Sequence, residues 1–166
     1  PAAPPGARGL ADVLGWGATN DAHHPTTPRP DGAGAARCMR LAVRDAGLEP
    51  ADIGYVNAHG TSTRAGDAAE LAALADVYGA EAPPLSSTKG VTGHMLGVSG
   101  VIEAAIAVEA LRRGLLPPTR NLDEPERDGE VDHIRGRARA TTVDAVLSNS
   151  FGFGGHNVSL VLARPA

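Results

Sequence analysis

The stretch Ser-Ser-Thr-Lys-Gly-Val-Thr-Gly-His occupies residues 86–94, and Lys89 within it is the only lysine among fifteen lysine and arginine side chains. Arginine is broad and permanently charged, whereas lysine is slim and its pKa falls readily on burial, so the two are not interchangeable in a confined site. An arginine-biased composition would also leave one lysine at a random place. Gly90 and Gly93 favour tight turns, however, and the segment therefore marks a candidate site.

Strand and helix patterns alternate on both sides of this segment. The predicted strands cover residues 10–18, 53–58, 84–87, 143–148 and 157–162, and the predicted helices cover 32–46, 66–78 and 97–113. Asp31 is a candidate cap for the first helix, and Gly79 and Gly114 are candidate ends of the other two. Alternation that finishes on a strand pair predicts an α/β fold or a mixed sheet with helices on its faces.

The predicted helix 97–113 is apolar nearly all round, which predicts deep burial. Glu103 stands out in it, because a carboxylate among small apolar side chains is costly unless it is paired or exposed. We expect its partner to be a cation nearby in the fold, and an exposed Glu103 is the alternative.

Composition limits the function classes. A length of 166 residues suits one domain, and a net charge of −4 does not indicate a nucleic-acid binder. Residues 10–166 are expected to form the domain, with 1–9 as a linker or a crossover from an upstream segment. Arg112-Arg113 and the arginines at 135, 137 and 139 are typical of solvated faces, and a docking patch for an acidic carrier is the alternative.

Localisation and redox chemistry are inferred from absences. Neither a membrane-spanning apolar run nor a signal peptide is recognisable, so the chain is expected to be cytoplasmic. The single cysteine, Cys38, cannot form an internal disulfide, and no Cys/His spacing resembles a metal site.

Two further segments carry chemistry. His59 stands at the end of a predicted buried strand and precedes Gly60 and three hydroxyl residues, 61–63, and strand ends are where α/β sheets expose reactive groups. The loop Phe-Gly-Phe-Gly-Gly at 151–155 joins the last two strands, and its glycines allow backbone N–H groups to approach a substrate. A satisfied structural histidine and an ordinary turn are the alternatives for each segment alone. Together they indicate that two histidines and a lysine converge.

As a set, residues 59–63, 87–94 and 149–157 resemble the three C-terminal motifs of the β-ketoacyl-acyl carrier protein synthases, the elongating type II enzymes and their polyketide-synthase relatives. The resemblance extends from about residue 8 to residue 162. It implies the C-terminal half of a thiolase-like layered αβαβα fold, with a mixed sheet and helices on both faces.

The resemblance also implies residue roles. His59 and His94 look like the two histidines that stabilise the enolate formed when malonyl thioester loses carbon dioxide. Lys89 looks like the lysine that holds the charge pattern and geometry of the site, with Glu103 as its carboxylate partner.

Substrate-arm contacts follow from the same resemblance. Thr61 and Thr63 resemble the hydroxyls that bind the phosphopantetheine arm of acyl carrier protein, and no cofactor of the chain's own is expected. Loops 21–30 and 151–155 correspond to a pair that opens and closes around that arm. The residues expected for gating and the oxyanion hole are Phe151, Gly152, Phe153 and Gly154.

The family holds its acyl chain on a cysteine in an N-terminal half that this sequence does not contain. Cys38 lies in a predicted helix and is expected to be an inert buried thiol. A complete decarboxylative Claisen condensation therefore requires an N-terminal partner, acyl carrier protein and a homo- or heterodimer of ketosynthases. The alternatives are a non-catalytic chain-length partner subunit, an inactive fragment, and a thiolase-like enzyme, which fits less well because it would need a second cysteine.

Overall fold

A five-stranded mixed sheet organises the fold. The computed structural model describes residues 9–127 and 130–165, so the predicted linker 1–9 lies outside the described residues except for its last residue. The strands are β1 (Asp12–Asn20), β2 (Ile53–Asn57), β3 (Leu85–Ser86), β4 (Leu115–Leu116), β5 (Arg139–Ala140), β6 (Ala145–Gly152) and β7 (His156–Ala163). The helices are α1 (Ala33–Asp45), α2 (Arg64–Tyr78), α3 (Lys89–Thr92) and α4 (Ser99–Arg113).

The main sheet has the order β1-β7-β6-β2-β3, and β4 and β5 form a separate pair. β2 runs parallel to both β3 and β6, while β7 runs antiparallel to β1 and β6. The predicted strands therefore exist, with ends shifted by a few residues, and the prediction of a mixed α/β sheet is confirmed.

Helices cover both faces of this sheet, as predicted. Side chains alternate between the two faces of a strand, so neighbouring Tyr55 and Val56 of β2 enter different cores. Val56 packs in the core that contains α1 and α2, and Tyr55 packs in the core that contains Ala107 and Leu111 of α4.

Helix α1 lies against the backbone of β1. A Cβ placed on Gly17 would come within 2.3 Å of the Cys38 carbonyl oxygen, so only glycine allows this approach. The buried Cys38 thiol donates to the Gly17 carbonyl oxygen at 3.2 Å, and burial raises the pKa of that thiol. Cys38 is therefore a packed core residue with a poorly ionised sulfur.

Local signals mark where the helices begin and end, close to the positions that the sequence predicts. The Asp31 carboxylate accepts a hydrogen bond from the Ala33 amide at 3.1 Å, but Gly32 occupies the N-cap position, so the prediction of Asp31 as the cap is wrong by one residue. Gly79 and Gly114 follow α2 and α4 with positive φ values of 61° and 59°.

The predicted deep burial of the helix at 97–113 is wrong. Residues Leu96–Val98 form a 3₁₀ turn, α4 begins at Ser99, and only one side of the helix faces the sheet. Ala107 is fully buried, whereas Val101 is 71% exposed. Small apolar side chains all round a helix do not specify which faces are covered, and within the described residues the sheet covers one.

Candidate active site

Two adjacent parallel strands bring the predicted site residues to one edge of the sheet. Val56 of β2 pairs with Leu85 of β3, and both strands end within two residues of that pair. His59 follows the end of β2, and Lys89 begins α3 just after β3. Because neighbouring parallel strands deliver their following loops to the same edge, the two side chains meet.

Lys89 is buried and paired. Its Nζ contacts the Glu103 carboxylate, which α4 supplies from the second face of the sheet, and the two side chains are 6% and 2% exposed. Nζ also donates to the His59 carbonyl oxygen at 2.5 Å. The carboxylate is thus paired with the cation that the sequence analysis expects.

A buried carboxylate that was not among the predicted site residues shapes the His59 turn. Glu70 of α2 accepts hydrogen bonds from the backbone N–H groups of His59, at 3.0 Å, and Gly60, at 2.9 Å. Asn149 of β6 donates its side-chain amide to the same carboxylate at 3.2 Å. Burial raises the pKa of Glu70, and these donors oppose that rise. Both oxygens of the carboxylate are therefore used to hold the histidine backbone.

The signal for Glu70 was present in the sequence. It stands between Ala69 and Leu71, but the anomaly is weaker than the one that singled out Glu103. The same helix carries three other charged residues: Arg64, Asp67 and Asp76. Asn149 carries no comparable signal, since an asparagine next to a predicted strand end is ordinary.

The turn after His59 needs glycine for its conformation. Gly60 has a φ of +35°, and a Cβ there would lie 2.7 Å from the Ser87 Cβ atom. The Ser87 hydroxyl donates to the Gly60 carbonyl oxygen at 2.8 Å, so the loops after β2 and β3 are fastened directly to each other.

The two predicted histidines lie side by side. The ring centroids of His59 and His94 are 5.6 Å apart with the planes at 84°, an edge-to-face arrangement. Burial, followed by the charge of Lys89 and the nearby His94, lowers the pKa of His59 to about 3. His59 is therefore neutral at physiological pH. His94 is more exposed, and its Nδ1 lies 3.0 Å from the Ser99 hydroxyl.

Thr61 and Thr63 are hydrogen-bonded to each other, with their hydroxyl oxygens 3.0 Å apart. Thr61, Lys89 and His94 line a cavity of about 450 Å³, whereas Thr63 and His59 are not among its lining residues. The cavity thus reaches the lysine and one of the two histidines.

The residues of the glycine-rich loop 151–155 differ in how close they lie to the histidines. The Phe151 ring lies 5.8 Å from the His59 ring, centroid to centroid, whereas Phe153 is 73% exposed. Gly152 has an extended backbone with a φ of −110°, which any residue adopts. Gly154 has a φ of +77°, which favours glycine. Of the four residues predicted for gating and the oxyanion hole, the structure brings Phe151 to the histidine.

The two predicted moving loops are joined. The Asp21 N–H donates to the Gly155 carbonyl oxygen at 2.9 Å, and the Gly154 N–H donates to the Pro25 carbonyl oxygen at 2.6 Å. Asn157 donates to the Asp21 carboxylate at 2.7 Å. Loop 21–30 and loop 151–155 therefore form one hydrogen-bonded unit beside the histidines.

The other predicted features lie away from this site. Arg112 and Arg113 pair with Glu109, and Arg139 pairs with Asp132, on exposed surfaces. Within residues 9–127 and 130–165, no group of three or more potential ligands could hold a metal ion. None of the helices in those ranges is long and apolar enough to cross a membrane.

Comparison with known proteins agrees with this geometry. A family model described as the C-terminal domain of beta-ketoacyl synthase matches residues 10–123. The 3-oxoacyl-[acyl-carrier-protein] synthase 2 of Synechocystis sp. is 47% identical over 161 residues, which cover 96% of this chain and 39% of the relative.

Solved structures give the same result. The ishigamide ketosynthase/chain length factor superposes with a TM-score of 0.92 at 41% identity, over 97% of this chain and 40% of that one. A type II ketosynthase, solved with its acyl-carrier protein and bound to a hexaketide, gives a TM-score of 0.92 at 31% identity, with the same coverage of both chains. The chain thus spans about two fifths of the length of these three relatives.

Proposed function

Because this chain belongs to the β-ketoacyl synthase family through that family's C-terminal domain, we propose that it forms the enolate-stabilising part of a decarboxylative condensing enzyme. The observation that carries the proposal is the pair of imidazole rings 5.6 Å apart, with a buried ion pair fastened to the carbonyl of one of them.

The proposed reaction extends an acyl chain by two carbons. The bond between the malonyl carboxylate and its α-carbon breaks, carbon dioxide leaves, and the electron pair forms an enolate with negative charge on the thioester oxygen. N–H groups of His59 and His94 donate to that oxygen. The enolate carbon then attacks an acyl thioester on a cysteine, and the cysteine thiolate leaves as the new carbon–carbon bond forms.

A neutral His59 suits this chemistry. A preorganised donor aimed at a developing oxyanion contributes roughly 10²- to 10³-fold to the rate. The low pKa of His59 keeps its imidazole neutral at physiological pH, so it would stabilise the enolate without adding a cation that holds the product. Lys89 then acts through the geometry and electrostatics of His59, with Glu103 balancing its charge.

The cysteine would come from a partner segment. Cys38 is buried against Gly17 on the far side of α1 from solvent, so it cannot serve as the nucleophile. Large apolar side chains are exposed around the histidine loops and on α4: Val91, Leu96, Val98, Val101 and Phe153. Exposed apolar clusters mark interaction surfaces. We assign this surface to the N-terminal half of the condensing enzyme, whether it is on the same or another polypeptide.

The proposed substrate is a malonyl unit carried on the phosphopantetheine arm of acyl carrier protein. The cavity that reaches Lys89 and His94 offers the Thr61 hydroxyl to the amides of such an arm. Buried amides without a partner would cost about 1 to 3 kcal/mol each, so hydroxyls along the route are useful. The solved ketosynthase with its carrier protein is a precedent for this partner.

A non-catalytic role as a chain-length partner is the second candidate, because the ishigamide relative includes a chain length factor. The assembled His59, His94, Lys89 and Glu103 argue against it, since a subunit that only shapes a tunnel has no need of buried charges beneath two histidines. Residues 10–166 as one domain, a dimeric assembly and a cytoplasmic location remain part of the proposal.

Histidine substitution tests the catalytic reading. In the native assembly, His59→Ala and His94→Ala should each lower carbon dioxide release from malonyl-acyl carrier protein by about 10²-fold or more. Arg40→Ala, which removes an exposed ion pair with Asp76 at a position outside the cavity lining, is the control. Unchanged turnover in both site variants would favour the chain-length role.

The source of the cysteine can be tested separately. Intact masses of the denatured native assembly, measured after alkylation by a thiol-directed ketosynthase inhibitor, should show the label on a cysteine outside this chain's sequence. Label on Cys38 would overturn the assignment of the nucleophile.

A further inference from the structure

The Ser99 hydroxyl lies between two nitrogen atoms at the start of α4. Ser99 is 4% exposed, and its Oγ accepts a hydrogen bond from the Met95 backbone N–H at 2.9 Å. The same Oγ lies 3.0 Å from Nδ1 of His94. The distances do not fix which of these two atoms donates to the other, so the direction follows from the pairing of the buried hydroxyl hydrogen.

A backbone N–H can only donate, so Ser99 Oγ must accept from Met95. The hydroxyl oxygen has a second lone pair and could also accept from an Nδ1–H, but its own hydrogen would then have no acceptor among the described contacts of Ser99. Because an unpaired donor on a buried side chain is costly, donation from the Ser99 hydroxyl to His94 Nδ1 is favoured. When Nδ1 accepts, the neutral ring carries its hydrogen on Nε2.

We propose that Ser99 is a positioning residue that fixes His94 in its Nε2–H tautomer. The inference rests on the proposed function, in which His94 must donate a hydrogen bond to the enolate oxygen. A ring in the other tautomer would present a lone pair from Nε2 to that oxygen, and the donor would be lost.

The intervening backbone is bent to make this contact. Gly93 has a φ of +71°, and Leu96, which is not glycine, has a φ of +51°. A non-glycine residue in this region is strained, and such strain persists only where surrounding contacts hold it. The bend and the 3₁₀ turn Leu96–Val98 return the chain so that Ser99 reaches back to a ring five residues earlier.

The Met95 contact alone would give Ser99 a structural role, so the test must read the ring itself. Nitrogen NMR of histidine-labelled protein distinguishes protonated from unprotonated ring nitrogens. In the neutral form of the wild-type His94 ring, Nδ1 should be unprotonated and Nε2 protonated. A wild-type ring with its hydrogen on Nδ1 would overturn the proposal without any substitution.

Three variants sharpen the result. Ser99→Ala should shift the two ring signals of His94 toward each other, because both tautomers become populated. Ser99→Thr keeps the hydroxyl and should restore the wild-type pattern. Thr92→Ala removes a nearby hydroxyl that bonds only to the Thr88 and Gly93 carbonyl oxygens, and it should change nothing. Ring signals in Ser99→Ala that match the wild type would refute the role of the hydroxyl.

Kinetics of the native assembly complete the test. Ser99→Ala should lower kcat for decarboxylation about tenfold with KM unchanged, because the interaction is made in the transition state. An unchanged kcat beside a shifted tautomer would overturn the positioning role. If the wild-type assembly releases no carbon dioxide at all, the proposed function fails instead, while the NMR result still decides which nitrogen carries the hydrogen.

Discussion

Lys89 holds His59 by the main chain: its Nζ donates to the His59 carbonyl oxygen at 2.5 Å while it contacts the Glu103 carboxylate. The ammonium therefore fixes the backbone of the histidine without competing for its ring. Its positive charge also contributes to the low pKa of that ring, after burial. Structure and electrostatics at His59 thus depend on one buried ion pair.

Breaking that ion pair should destabilise the fold. Lys89→Met leaves a buried carboxylate without its cation, and the expected loss in the free energy of unfolding is about 3 to 5 kcal/mol. Urea denaturation of the native assembly measures it. The double variant Lys89→Met with Glu103→Leu should be more stable than Lys89→Met alone, because no unpaired charge remains. A double variant that loses the sum of the two single effects would show that the charges do not interact.

Acid should destabilise the protein through His59. The unfolded chain binds a proton at this histidine below about pH 6.5, whereas the folded chain does so only near its pKa of about 3. Protons therefore favour unfolding between these values, by up to about 1.4 kcal/mol per pH unit. His59→Asn should flatten the dependence of unfolding free energy on pH in that window. Equal slopes in wild type and His59→Asn would contradict the low pKa.

Glu70 should contribute both to the stability of the fold and to the order of the turn at His59. Glu70→Gln retains one carbonyl oxygen but turns an NH₂ group toward backbone donors, so at least one amide among His59, Gly60 and Asn149 loses its acceptor. We expect a loss of about 1 to 3 kcal/mol in stability and faster hydrogen exchange at the His59 and Gly60 amides. Glu109→Gln, on the exposed side of α4, is the control. Unaltered exchange at both amides would show that the carboxylate does not hold the turn.

The glycines in the loop 151–155 should differ in how far substitution by alanine destabilises the fold. Gly155 has a φ of +74°, and a Cβ there would lie 3.0 Å from the Asp21 Cβ atom, so Gly155→Ala should cost about 1 to 3 kcal/mol. Gly152 has an extended backbone, and its Cβ would meet only the His156 carbonyl oxygen at 3.8 Å. Thermal unfolding should therefore be almost unchanged in Gly152→Ala. Equal melting temperatures for the two variants would mean that the loops are not joined through Gly155.

Glycines after helices and single charged residues in apolar segments made much of the fold and site predictable. Gly79 and Gly114 end their helices as the sequence indicates, and the isolated Glu103 lies against the isolated Lys89. These features are local or involve a single unusual residue. The burial of α4 was not predictable in the same way, because coverage of Val101 depends on what packs against it and not on the helix sequence.

Other site features depend on distant contacts. Glu70, Asn149 and Ser99 act through backbone amides or ring nitrogens that only the folded chain brings near, and none of them is unusual for its local segment apart from the weak signal of Glu70. The relative placement of Phe151 and Phe153 depends on the end of β6 at Gly152 and the start of a 3₁₀ turn at Phe153, which alternation along a strand does not reveal.

The position of β7 between β1 and β6 also constrains how the chain folds during synthesis. β1 has β7 as its partner in the sheet, and Asp12 pairs with Ala163 across nearly the whole described chain. Contacts so far apart in sequence slow folding, because a long loop must close before they form. During synthesis on the ribosome, β1 therefore lacks its sheet partner until β7 has emerged. For the same reason, trimming β7 would release β1 from the sheet.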